Sequence, residues 1–76
     1  MNHENRPIIE PTRIYSRTEV TEILDISLST VKRLIASGQL RVSQPAGMRR
    51  IFITGQALLD LLEESEIDPE NYVDDD

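Results

Sequence analysis

The sequence predicts a mainly α fold with a small β-hairpin, and three observations carry that prediction. Three helix starts share one capping grammar, and each precedes an apolar stripe at helical spacing. The link "DIS", residues 25–27, is too short for anything but a tight turn between the first two helices. Between Gly38 and Thr54, two short alternating segments flank a turn-rich stretch, the pattern of a hairpin.

The elements follow in order. At "YSRTEV", Ser16 is the N-cap, Glu19 completes a capping box, and Tyr15 and Val20 hold the staple positions before and after. The first helix spans 17–24 and turns Val20, Ile23 and Leu24 inward. At "ISLSTV", Ser27 is the cap and Ile26 and Val31 are the staple pair. The second helix spans 28–37, with Val31, Leu34 and Ile35 inward. Gly38 follows its last turn, where a left-handed residue commonly ends a helix. In the hairpin, Leu40 and Val42 alternate with Arg41, and Ile51 and Ile53 alternate with Arg50 and Phe52. "SQPAGM" supplies the turn, with Gly47 free to take a conformation other residues resist. At "ITGQAL", Thr54 caps a third helix over 55–65, with Ile53 and Leu58 as staple and Leu58, Leu61 and Leu62 inward. Two short helices across a three-residue link, followed by a hairpin with basic strands, spell a winged helix-turn-helix.

Composition bounds the rest. The 76 residues allow one small domain over 14–65, between a flexible N-terminal arm, 1–13, and an acidic, disordered tail, 66–76. Two prolines, Pro7 and Pro11, interrupt the arm, and Pro69 breaks the tail. There is no cysteine, hence no disulfide framework and no thiolate metal site. The single histidine, His3, sits in a polar terminal stretch and is expected to be solvated. No apolar run approaches the ~20 residues of a membrane span, and the N-terminus lacks signal-peptide character. A cytoplasmic protein without membrane contact is the expectation. No catalytic constellation stands out: Tyr15 is a staple residue, Tyr72 lies in the tail, and the carboxylates cluster in a segment without preorganisation. Neither enzyme activity nor a metal or other cofactor is expected.

The formal net charge of −6 hides a segregation. Residues 13–54 hold seven bases against three acids, or +4, whereas residues 55–76 hold nine acids and no base, or −9. Residues 1–12 add −1, from Glu4, Arg6 and Glu10. The acidity therefore belongs mainly to the C-terminal third, and the middle is free to face a polyanion. On the second helix, Leu28, Ser29, Lys32 and Arg33 occupy the face opposite the apolar stripe. Ser29 can reach a phosphate or a base edge near the positive end of the helix dipole. Arginine, here Arg33, can grip guanine O6 and N7 bidentately in the major groove. Arg49 and Arg50 sit where a wing meets phosphate or minor groove, with Arg41 on the opposite arm. Thr30 at the packed edge of the helix, the cap residue Ser27 and Arg17 at the start of the first helix complete the candidate DNA-binding set. The alternative for each basic residue is an ordinary solvated charge, and Phe52 is expected in the core.

The ordered set "YSRTEVTEILDISLSTVKRLIASGQL…GMRRIFI…LLDLLE" resembles the small winged helix-turn-helix domains of the MerR-like and excisionase families over roughly residues 14–63. The shared features are a capped first helix, a short turn, Ser-x-x-Thr-Val-x-Arg, a Gly-x-Leu exit, an Arg-containing wing and a closing helix. MerR-type regulators continue into a long dimerisation helix, so the resemblance favours the short excisionase-like members. It implies double-stranded DNA as partner, side-by-side self-association on that DNA and bending of an attachment site. It also implies an integrase or other recombinase steered toward excision, in a bacterial host cell. A small transcriptional regulator of the same fold stays open. So does an antitoxin- or inhibitor-like module that docks a basic partner through its acidic tail.

Overall fold

Hydrogen-bond capping by side chains starts each of the three α-helices of the computed structural model, which describes residues 8–72. The elements are β1 (Ile14–Tyr15), α1 (Arg17–Leu24), α2 (Leu28–Ala36), β2 (Ile53–Thr54) and α3 (Gly55–Glu64), then a short 3-10 turn at Pro69–Asn71. His3, the start of the N-terminal arm and the terminal aspartates Asp74, Asp75 and Asp76 lie outside the described residues.

Ser16 accepts from the Glu19 N–H at 3.0 Å, and Glu19 Oε1 accepts from the Ser16 N–H at 2.8 Å, a complete capping box. Ser27 accepts from the Thr30 N–H at 3.1 Å, and Thr54 from the Ala57 N–H at 3.1 Å. The three staple pairs close over these caps. Tyr15, Val20, Val31, Ile53 and Leu58 are all buried, and Ile26 is half-buried against them. With Leu40 and Leu61 they form the core, bordered by Ile23, Leu24, Leu34, Ile35, Val42 and Ile51.

The fold is a small winged helix-turn-helix with a two-stranded antiparallel sheet. The strand pairing differs from the expected hairpin. β1 pairs with β2, in register Ile14 with Thr54 and Tyr15 with Ile53. The two arms of the wing meet at one bridge, Ser43 with Phe52, closed by hydrogen bonds of 2.8 and 2.9 Å. Competing bonds explain this. The Leu40 N–H is spent on the Leu34 carbonyl at the end of α2, and Ile53 is drawn into the pair with Tyr15. The wing tip is then a turn, with the Met48 N–H on the Pro45 carbonyl and Gly47 at φ 82°. A positive φ at the third turn position is where glycine is favoured.

One expected core residue is outside. Leu62 is 46% exposed, whereas Gly55, Leu58 and Leu61 form the buried line of α3. The helix advances roughly 100° per residue, which carries Leu62 past the edge of that line. Half-buried Ala57 packs on the core instead.

Residues 10–13, within the segment expected as an arm, run against the start of α3. The Glu10 N–H donates to the Tyr15 hydroxyl at 2.9 Å. The Gly55 N–H donates to the Arg13 carbonyl and the Gln56 N–H to the Pro11 carbonyl. Two of the first amides of α3 thus find partners outside the helix, groups that no helical carbonyl can satisfy. Among the described residues, no helix is long and apolar enough to cross a membrane.

Candidate nucleic-acid interface

Asp25 makes the turn between α1 and α2. It takes the left-handed conformation, φ 56° and ψ 50°, as C-cap of α1, and its N–H and that of Ile26 both donate to the Thr21 carbonyl. Short polar Asp tolerates this region better than most side chains. The chain reverses in three residues and enters α2 directly. The tight turn is legible in the sequence; that Asp25 is its left-handed residue is not.

α2 divides cleanly. Val31 is fully buried and Leu34 and Ile35 are half-buried, while Leu28, Ser29, Lys32 and Arg33 are all exposed. At the N-terminus the hydroxyls gather around the cap. Ser27 Oγ lies 3.0 Å from Ser29 Oγ and 2.9 Å from Thr30 Oγ1. All three hydroxyls thus belong to one cluster around the cap, with Ser27 and Ser29 exposed and Thr30 half-buried. At the other end, the Ser37 N–H donates to the Arg33 carbonyl, and Gly38 exits at φ 83°.

The wing carries two of the remaining candidates. Gln44 Nε2 donates to the Arg49 carbonyl at 2.9 Å and braces the returning arm across the turn. No sequence pattern marks Gln44 for this role. The Arg50 guanidinium lies 5.0 Å from the centre of the Phe52 ring. Phe52 is half-buried and forms the bridge to Ser43, so it serves as a platform at the base of the wing and lies outside the central core. A cation on an aromatic face keeps its charge available while its stem is oriented.

Arg41 is placed differently. Its guanidinium lies 3.3 Å from Glu64 Oε2 and 4.0 Å from Asp60 Oδ2, so its charge is met by two acids of α3. Arg17 is exposed at the first position of α1. Among the described residues, Arg17, Lys32, Arg33, Arg49 and Arg50 make no salt bridge.

The electrostatic layout follows from sequence order. No carboxylate occurs between Asp25 and Asp60, a stretch that includes all of α2 and the wing and carries Lys32, Arg33, Arg41, Arg49 and Arg50. The structure ties this stretch into one unit through the Leu40–Leu34 hydrogen bond and the Ser43–Phe52 bridge. Such a basic surface attracts phosphate, and its exposed helix has the width to enter a major groove. Just before β1, Arg13 lies 3.4 Å from Glu19 of α1 and over the Tyr15 ring at 5.1 Å. The Glu19 carboxyl is held below its ordinary pKa, first by the Ser16 N–H; partial desolvation opposes this, and the Arg13 guanidinium assists it.

A family model described as a helix-turn-helix domain matches residues 14–66, from β1 to just beyond α3. No curated protein and no solved structure matches the chain.

Proposed function

This chain belongs to the helix-turn-helix domain family, and from that premise we propose that it binds double-stranded DNA sequence-specifically as an excisionase-like accessory factor. In this reading α2 lies in the major groove. Arg33 contacts a base, Lys32 and Ser29 contact phosphate or base edges, and Arg49 and Arg50 take backbone beside the site. One observation carries the reading: an exposed, acid-free helix face, and a wing whose Arg49 and Arg50 make no salt bridge among the described residues, follow a tight interhelical turn. A domain this small covers few base pairs, so several protomers sit side by side. Their combined effect is to bend or organise attachment-site DNA for a recombinase. The chain acts by binding alone and takes no metal or organic cofactor.

A second reading is a small MerR-like transcriptional regulator, which would use the same interface. A third is an antitoxin- or inhibitor-like module, and one observation favours it: the acids of α3 already engage a base, Arg41. A salt titration on duplex DNA from the native locus separates DNA binding from protein docking. If about three to five phosphates are neutralised per protomer, log K falls against log salt with a slope of about −3 to −4.5. A slope near zero, or no shift on any duplex, overturns the DNA reading. An excision assay with the recombinase encoded nearby then divides the first two. Stimulated excision supports the accessory factor, and unchanged excision with promoter repression supports the regulator.

A further inference from the structure

α2 carries four large apolar side chains, and one of them faces water. Val31 is buried and Leu34 and Ile35 are half-buried, whereas Leu28 is 43% exposed. A single exposed leucine is ordinary on a protein surface. The position of this one is what matters. It is the first residue of α2, beside Ser29 and one turn before Lys32 on the same side of the helix. In helix-in-groove docking the N-terminal residues of the reading helix approach the base edges.

We propose that Leu28 is a specificity-determining residue that reads a thymine methyl group in the major groove. This inference rests on the DNA-binding reading above and gives it a chemical target. The floor of the major groove presents hydrogen-bonding groups at every base pair, and the C5-methyl of thymine is its apolar feature. A branched aliphatic side chain offers that methyl a dry contact, and it offers nothing to the amino and carbonyl groups of the other bases. Leu28 and Arg33 are five residues apart, about 140° around the helix axis, so they stand at opposite edges of the exposed face and would meet different bases.

Deoxyuridine tests this, because it removes the methyl and keeps every hydrogen-bonding group. The full chain is used to select its tightest duplex from a random pool, and each thymine of that duplex is then replaced singly by deoxyuridine. The wild-type protein should lose affinity roughly threefold to fivefold at one thymine, the scale of burying one methyl-sized group. Leu28→Ala should bind the thymine duplex more weakly by a similar factor and should no longer distinguish thymine from deoxyuridine there. Leu28→Gln, which keeps side-chain length without an apolar end, should behave alike, and thermal melts would show both variants folded. The proposal is overturned if no thymine responds, or if the folded variants keep the full methyl penalty. Duplex binding without methyl discrimination removes this inference alone; failure to select any duplex removes the DNA-binding reading with it.

Discussion

The carbonyl oxygen of Glu10 occupies the space a Cβ on Gly55 would need, well inside contact distance. This glycine is the first residue of α3 and is buried, and its N–H reaches the Arg13 carbonyl at 2.9 Å. The backbone of the segment before β1 rests directly on the backbone of the closing helix.

Gly55→Ala should therefore destabilise the domain, even though alanine is the better helix former. Forcing atoms into a packed site costs about 1–3 kcal/mol. In a domain of this size each kcal/mol lowers Tm by about 4–8 °C. Gly38→Ala is the comparison. Its Cβ meets nothing within 4 Å, so only the strain of φ 83° opposes it. A melt of Gly55→Ala at the wild-type temperature would show that residues 10–13 do not hold this packing.

Core truncations should divide by burial. Val31→Ala removes a fully buried side chain and is expected to cost about 2–3 kcal/mol through lost contact and a cavity. Leu62→Ala removes a half-exposed one and should stay within about 0.5 kcal/mol. Denaturant melts of the two variants check the order; equal losses would move Leu62 back into the core.

The reading helix and the wing should separate in binding assays. Arg33→Ala should cost about 1–3 kcal/mol and relax preference at one base position, whereas Lys32→Ala should weaken all sequences alike. Removing Arg49 and Arg50 together should reduce the salt slope by about two while sequence preference stays nearly unchanged. Unaltered affinity in all three, with the fold intact, would take both elements out of the interface.

Arg41 should behave unlike the other bases. Its partners Glu64 and Asp60 compete with phosphate, so Arg41→Ala should change the salt slope little. Glu64→Gln with Asp60→Asn should release the guanidinium and raise non-specific DNA affinity at low salt, with the gain fading as salt rises. The ion pairs are exposed, and their loss should barely move the melting temperature. A binding curve unchanged by the double substitution would show that these acids do not hold Arg41 from DNA.

The capping box gives a pH signature. The Glu19 pKa is lowered in the folded chain, chiefly by the Ser16 N–H. The carboxylate therefore contributes stability that is complete above the ordinary glutamate range and is lost as pH falls through the lowered folded value. Glu19→Gln carries no titrating group, so its melting temperature should fall less steeply with acidification than that of the wild type. Parallel pH profiles for the two proteins would mean the box contributes no proton-linked stability.

Local signals determined a large share of this molecule. Ser16, Ser27 and Thr54 were legible as caps because capping is decided within four residues, and the staple pairs are set by the same short spacing. The three helices, the glycine at 38 and the basic side of α2 follow from those local preferences. The candidacy of Arg17, Ser29, Lys32, Arg33, Arg49 and Arg50 as DNA contacts likewise rests on residue type and spacing, and the structure adds their exposure. Tertiary structure decided the rest, because each remaining feature depends on what arrives from far along the chain. Ile53 had to choose between the wing and Tyr15, and pairing with Tyr15 left a single bridge at Ser43. Leu62 read as core until the buried line of α3 was filled by Gly55, Leu58 and Leu61. Arg41 alternated correctly for a wing arm, yet its charge is claimed by Asp60 and Glu64, about twenty residues later in the chain. The identity of Gly55 carries no helix signal at all; it is required by a carbonyl 45 positions earlier in the sequence, at Glu10, which only the folded chain brings into contact.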